Sequence, residues 1–132
     1  MMLARTTIVG LIGGATALIH GVGGQLTGIQ AMNQTSLAAS PRLELLATWH
    51  MITIHLGYLA YQVWRLEQHP QPLDQARLIV GQYLAYSLLW LGLNLLAGQL
   101  WLAPQWLLLA ALAGLTWWAT PRKNQRIQGV HQ

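Results

Sequence analysis

The feature of this sequence that most restricts its fold is the placement of its seven basic and three acidic residues. They leave three long stretches without any charge, residues 6–41, 45–64 and 78–121. A helix needs about 20 predominantly apolar residues to cross the hydrocarbon core of a bilayer. Ordinary soluble domains carry about 25% charged residues, whereas this chain of 132 residues carries 8%. The pattern therefore predicts a chain that lies inside a membrane.

The charge-free stretches predict four helices, at residues 6–28, 43–64, 77–97 and 104–120. The stretch 78–121 is long enough for two crossings, and Gly98 and Pro104 mark the break between them. Glycine commonly follows the end of a helix, and proline suits the first turn of the next one. The expected fold is all-α, a single antiparallel bundle of four transmembrane helices followed by a basic tail at 121–132.

The basic residues predict the orientation of the chain in the membrane. With four crossings, the N-terminus, the 65–77 loop and the C-terminus lie on one side. The opposite side holds only Arg42. The side of the termini holds six basic residues: Arg5, Arg65, Arg77, Arg122, Lys123 and Arg126. Cytoplasmic loops are enriched in Lys and Arg, so both termini are expected on the cytoplasmic side of a bacterial inner membrane. The same placement explains the net charge of +4 without nucleic acid as a partner.

Glycines on the first predicted helix indicate close packing. Gly10 and Gly14 are four residues apart, and so are Gly24 and Gly28. Small residues at this spacing let two helices approach closely in lipid. The spacing fits packing inside the bundle, and it equally fits self-association or contact with a partner membrane protein.

Polar residues inside the predicted helices are the candidates for a binding site. His20 lies eight residues from the outer end of its helix and His50 seven. At 1.5 Å per residue, both therefore sit about 11 Å below the outer boundary. Trp49 is next to His50, while Trp90 and Asn94 reach the same outer half from the third helix. We predict that these five residues form the ligand-binding part of the bundle.

Several interpretations of this cluster stay open. His20 and His50 have the ligand chemistry of axial ligands to a b-type haem between helices, with Arg42 placed near the outer surface for a propionate. A pocket for a quinone or a lipid is a second interpretation. In the third, each histidine hydrogen-bonds to a neighbouring polar group and fixes the register of the helices. Apart from haem iron, no metal ion is expected, because the predicted helices contain no carboxylate at that depth.

The lack of intramembrane carboxylates also bears on the class of function. A proton-coupled transporter usually needs such a group, and no serine is framed by a base as a nucleophile. The sequence favours a non-enzymatic structural or accessory subunit that packs into a homo-oligomer or a larger membrane complex. A ligand- or cofactor-binding bundle centred on His20 and His50 is the alternative. Small-molecule transport is the weakest of the three.

One resemblance supports the topology. A histidine in the first helix, His20, followed by Arg42 and then Trp49-His50 in the second helix, resembles a pattern of small uncharacterised bacterial four-helix integral membrane proteins. The resemblance covers about the first half of the chain. It implies four membrane helices and a shared role for His20, Trp49 and His50, and it implies no activity.

Overall fold

A computed structural model describes residues 4–101 and 103–122, and all regular structure in them is helical. The four predicted helices are present, the first with a short continuation. The elements in chain order are α1 (Arg5–Gly24), a π-helical turn (Gln25–Ile29), α2 (Gln30–Asn33), α3 (Ala39–Arg65), a 3-10 turn (Leu66–Gln68), α4 (Pro72–Leu96) and α5 (Gln105–Ala119). Most of the predicted basic tail, residues 123–132 with Lys123 and Arg126, lies outside the described residues.

Two of the helices begin earlier than predicted, because a proline starts each of them rather than ending a loop. Pro72 is at the start of α4, and Pro41 is in the first turn of α3. The first turn of a helix has N–H groups without intrahelical partners, so the missing N–H of proline costs nothing there. Asp74 in the first turn of α4 also favours this start, since a carboxylate complements the partial positive charge of a helix N-terminus.

The described residues form two compact units that divide between Trp64 and Arg65. In the first unit, α1 and α3 run antiparallel, since Gly10 approaches Trp64 and Gly24 approaches Trp49. A Cβ added to Gly10 would lie 2.9 Å from the Cβ of Trp64 and 3.1 Å from the carbonyl oxygen of Ala60. Helix backbones come this close only where one of them carries no side chain. Gly10 therefore sets the spacing of α1 and α3 at this end.

In the second unit, α4 and α5 form an antiparallel hairpin around a tight turn. Gly98 has φ +66°, the left-handed conformation that favours glycine. Its N–H donates to the carbonyl oxygen of Leu95, and the N–H of Gln99 donates to that of Asn94, both at 3.0 Å. This pair of bonds is the Schellman arrangement that ends many helices. The prediction that Gly98 ends a helix is confirmed, and α5 begins directly after Pro104.

The helices differ in their suitability for crossing a membrane. Within the described part of the chain, Arg5–Asn33 and Pro72–Leu96 are the stretches that are both long and apolar enough to do so. Helix α3 is long enough, with 27 residues, but it is more polar. Helix α5 is apolar but has only 15 residues, which rise about 22 Å against a hydrocarbon core of roughly 30 Å.

Candidate functional site around His20

The most specific side-chain arrangement in the first unit joins His20 on α1 to two residues of α3. The imidazole of His20 stacks flat on the indole of Trp49, with ring centroids 4.2 Å apart and an interplanar angle of 9°. Nδ1 of His20 also lies 2.9 Å from the hydroxyl oxygen of Thr53. Trp49 and Thr53 are four residues apart, so they occupy one face of α3. The contact therefore combines ring stacking with a directional hydrogen bond.

The hydrogen bonds around Thr53 determine which nitrogen of His20 carries the proton. The Thr53 hydroxyl donates to the backbone carbonyl oxygen of Trp49 at 3.0 Å. Because a hydroxyl has a single proton, the bond to His20 must use the proton of the imidazole. The neutral ring then has N–H at Nδ1 and a lone pair at Nε2. Histidines that bind metals or ligands are commonly oriented by such a bond at the second nitrogen.

Two glycines of α1 make room for this contact. The indole of Trp49 lies directly against Gly24, where an added Cβ would overlap ring carbon Cζ2 and come within 2.7 Å of Nε1. An added Cβ on Gly21 would lie 2.8 Å from the methyl group of Thr53. The π-helical turn begins immediately after Gly24, and such turns are frequent at functional sites. Trp49 Nε1 is buried, and no described residue accepts its hydrogen bond.

The glycines predicted to pack divide into two groups. Gly10 and Gly24 contact α3, whereas a Cβ added to Gly14 or Gly28 would meet nothing within 4 Å. Gly21, which belongs to neither predicted pair, makes a contact as close as that of Gly10. Each predicted pair thus supplies one close approach between α1 and α3, and the other glycine of each pair faces open space.

His50 lies apart from the contact of His20. It is exposed, about 100° around α3 from Trp49. Within the described residues, no hydrogen bond reaches its imidazole. Arg42 is also engaged elsewhere, since its Nη2 donates to the carbonyl oxygens of Thr35 at 3.3 Å and Leu37 at 2.8 Å. This side-chain arrangement gives no support to a haem held by both His20 and His50. Nε2 of His20 still has a lone pair, so His20 alone could act as a ligand.

Trp90 and Asn94 belong to the second unit, where Asn94 has a structural task. Its side chain is 4% exposed. Nδ2 donates to the carbonyl oxygens of Trp90 at 2.8 Å and Ala103 at 3.0 Å, and Oδ1 accepts the N–H of Ala103 at 3.0 Å. The amide group therefore fastens the end of α4 to the residue that precedes Pro104. Ser87 makes a similar link, because its hydroxyl donates to the carbonyl oxygen of Trp106 at 2.7 Å.

Thr53 is the residue that sequence reasoning left out of the site. Its spacing of four from Trp49 is the signal that could have identified it, since that spacing places both side chains on one helix face. Among the described residues, no group of three or more His, Cys, Asp or Glu side chains could hold a metal ion. No family model, curated protein or solved structure matches the chain, so the resemblance built on His20, Trp49 and His50 stays a prediction.

Proposed function

We propose that this chain is an integral membrane protein that crosses the bilayer four times, with both termini in the cytoplasm. The observation that carries the proposal is the exposure of its apolar helices. Only 28% of the 18-residue apolar stretch in Arg5–Asn33 is buried, and only 22% of the corresponding stretch in Pro72–Leu96. The core helix of a soluble protein buries its apolar residues against the rest of the fold. Apolar helices that stay this exposed need lipid or another membrane protein around them.

The hydroxyl groups on these helices support the same proposal. Thr16 and Thr27 are on α1 and on the π-helical turn that follows it. Their hydroxyls donate to the carbonyl oxygens four residues earlier, at 2.9 Å and 2.8 Å. Lipid provides no hydrogen-bond partner, so polar groups in a membrane helix must find one within the protein. Threonine satisfies this need by bonding back to its own helix.

The two antiparallel hairpins suit a chain that crosses in pairs. In each unit the chain passes through a candidate membrane helix and returns in an antiparallel neighbour. The pairs are α1 with α3 and α4 with α5. Two such hairpins give four crossings with both termini on one side. The proposal includes the assembly of these helices into one antiparallel bundle in a bacterial inner membrane.

Within the membrane, we assign the chain the role of a structural or accessory subunit. The polar groups with the most directional contacts act inside the chain: Asn94 and Ser87 fasten α4 to α5, and Thr53 joins α1 to α3. Large apolar side chains are exposed along all the long helices. Exposed apolar surface on this scale is typical of a protein that packs against lipid and other membrane proteins.

Membrane location and topology can be tested together, because the chain contains no cysteine. Ser36→Cys and Gln68→Cys place single thiols at exposed positions in the two predicted loops on opposite sides. A membrane-impermeant maleimide should label Ser36→Cys in intact cells, and Gln68→Cys only after the membrane is permeabilised. Release of the chain by alkaline carbonate, or equal labelling of both positions, would contradict the proposal.

The accessory role has its own test. The chain, extracted in mild detergent, should migrate in native electrophoresis as a complex larger than one chain. A population that is entirely monomeric in several mild detergents and in lipid nanodiscs would overturn the assignment as a subunit, without affecting the topology.

A second candidate function is ligand binding at His20, which one specific observation favours. Thr53 orients the imidazole so that Nε2 has a lone pair, and no described residue donates a hydrogen bond to it. Purified protein would show a Soret band if Nε2 holds haem iron, and His20→Ala should abolish the band while His50→Ala keeps it. Solvent extraction followed by mass spectrometry would identify a bound quinone or lipid in a colourless preparation. Identical extracts from the parent chain and His20→Ala would exclude the site.

A further inference from the structure

We infer that two copies of this chain contact each other in the membrane through the side of α3 that carries His50. The inference rests on the proposed membrane location. The residues of this surface, which we call the His50 face, recur at intervals of three or four along α3: Leu43, Ala47, His50, Ile54, Gly57 and Tyr61. At about 100° per residue they lie within an arc of roughly 80°.

The large side chains of the His50 face are exposed. Leu43 is 66% exposed, Ile54 72% and Tyr61 47%. The buried residues of α3 lie on another side of the helix: Leu56, Leu59, Ala60 and Val63. Three large exposed apolar or aromatic side chains along about five turns of helix form a continuous strip, and His50 lies within it.

His50 is the reason that lipid alone does not suffice to cover this strip. By its place in the sequence it lies about 11 Å inside the outer boundary of the predicted helix. A polar side chain that faces hydrocarbon at this depth is costly unless it has a hydrogen-bond partner. No described residue of the chain provides one, and lipid chains cannot. A polar group from outside the first unit is therefore needed on this face.

A second copy of the chain supplies that group at the correct depth. All copies insert with the same orientation, so a two-fold axis along the membrane normal brings His50 opposite the same residue of its partner. A neutral imidazole has one donor and one acceptor nitrogen, and two imidazoles can therefore hydrogen-bond to each other. The face is self-complementary without any further residue.

Gly57 adds a steric argument for the same surface. It is seven residues from His50, two turns further along the face, and a Cβ added to it would meet nothing within 4 Å. The open space means that Gly57 has no packing task inside the first unit. A glycine on an exposed helix face lets a second helix approach closely in lipid.

The inference can be tested by disulfide crosslinking, since the chain has no cysteine of its own. Ile54→Cys places a thiol on the His50 face, and Ile19→Cys is its matched control on α1. The two isoleucines are 72% and 71% exposed, and Ile19 lies about 180° around α1 from Gly10, which faces α3. After oxidation with copper phenanthroline in native membranes, Ile54→Cys should form a dimer of twice the chain mass, and Ile19→Cys should stay monomeric.

Other outcomes would overturn the inference. Equal crosslinking of the two variants would indicate random collision, and a product of different mass would place another protein on the face. An Ile54→Cys variant that stays monomeric while carbonate leaves it in the membrane would remove the interface and leave the membrane location intact. Release by carbonate would remove both.

The role of the imidazole is tested in the same Ile54→Cys chain. His50→Leu should lower the association constant of the dimer about threefold to thirtyfold, the range found for single polar contacts between membrane helices. His50→Asn, which keeps a donor and an acceptor, should retain most of it. Energy transfer between labelled chains at increasing lipid dilution measures the constant. If His50→Leu associates as tightly as the parent, the hydrogen bond between imidazoles is wrong.

Discussion

Nδ1 of His20 lies 2.9 Å from the hydroxyl oxygen of Thr53, and that hydroxyl donates a hydrogen bond to the carbonyl oxygen of Trp49. Thr53 therefore acts as the acceptor for the imidazole. The hydroxyl proton is used in a hydrogen bond within α3, so Thr53 determines the tautomer of a histidine that is 33 residues away in the sequence. The chemistry available at Nε2 of His20 is thus set by a residue of a different helix.

Replacing Thr53 by Val should release this control. The variant keeps the shape of the side chain but lacks the acceptor, so the imidazole loses its preference for a proton at Nδ1. In protein labelled with nitrogen-15 at histidine, the parent should show His20 with Nδ1 protonated and Nε2 unprotonated. Thr53→Val should show a mixture of the two tautomers. The free energy of unfolding should also fall by about 1 kcal/mol, the usual value of one hydrogen bond.

Thr53→Ser provides the control for this measurement. It retains the hydroxyl and loses only the methyl group that contacts Gly21, so the His20 spectrum should match that of the parent. If Thr53→Val leaves the nitrogen resonances of His20 unchanged, the tautomer is set by something other than this bond.

The helices themselves could be predicted from the sequence, because apolar length and the absence of charge are local properties. Gly98 could be identified as the end of a helix because this signal is also local. The residue after a helix often adopts a left-handed conformation, here with φ +66°, and glycine is favoured there. The starts of α3 and α4 were not identified. Pro41 and Pro72 fit a loop as well as a first helical turn, and the sequence alone does not separate the two.

The candidate site shows where prediction from one sequence stops. Counting residues along a helix gives the depth of His20 and His50, but not the direction in which each helix is turned. Trp49 faces α1 and His50, one residue later, does not. The same rotation decides that Gly24 contacts α3 while Gly28 faces open space. Rotation depends on the packing of two helices against each other, which periodicity in one helix does not contain.

The glycines of α1 allow a direct test of that rotation. Gly24→Ala places a methyl group inside the space of the Trp49 indole, and overpacking of this kind costs about 1–3 kcal/mol. Gly28→Ala meets no neighbour, and its effect on the free energy of unfolding should stay within about 0.5 kcal/mol. Unfolding in mixed micelles, followed by circular dichroism and by tryptophan fluorescence, measures both variants. Equal losses in the two would mean that α1 is turned differently.

Asn94 should be the most costly polar residue to replace in the second unit. Asn94→Leu removes three hydrogen bonds and leaves both backbone groups of Ala103 without the partner that they have now. Loss of about 3 kcal/mol is expected, since each bond contributes about 1 kcal/mol and orphaned groups cost more. Asn94→Asp should lose at least as much, because a carboxylate still accepts the N–H of Ala103 but cannot donate to the two carbonyl oxygens that the amide now contacts. Ser87→Ala removes a single bond and should lose about 1 kcal/mol. A ranking in which Ser87→Ala equals Asn94→Leu would contradict the clamp.

Two buried threonines at the end of α5 should respond to the same substitution with opposite signs. Thr116 is 0% exposed, and its hydroxyl has no hydrogen-bond partner among the described residues. Thr120 is 7% exposed, and its hydroxyl donates to the carbonyl oxygen of Thr116 at 2.7 Å. Valine keeps the branched shape of threonine and removes the hydroxyl, so each variant reports the value of one hydroxyl in its present surroundings.

Thr116→Val should therefore raise the free energy of unfolding by about 1 kcal/mol, because an unpaired buried hydroxyl is a net cost. Thr120→Val should lower it by about 1 kcal/mol, because a hydrogen bond is lost. Both variants have the same chemical change, are four residues apart and are measured in the same micelles, so differences in detergent binding largely cancel. If Thr116→Val destabilises the protein as much as Thr120→Val, the Thr116 hydroxyl has a partner, and the end of α5 is held by two hydroxyl bonds rather than one.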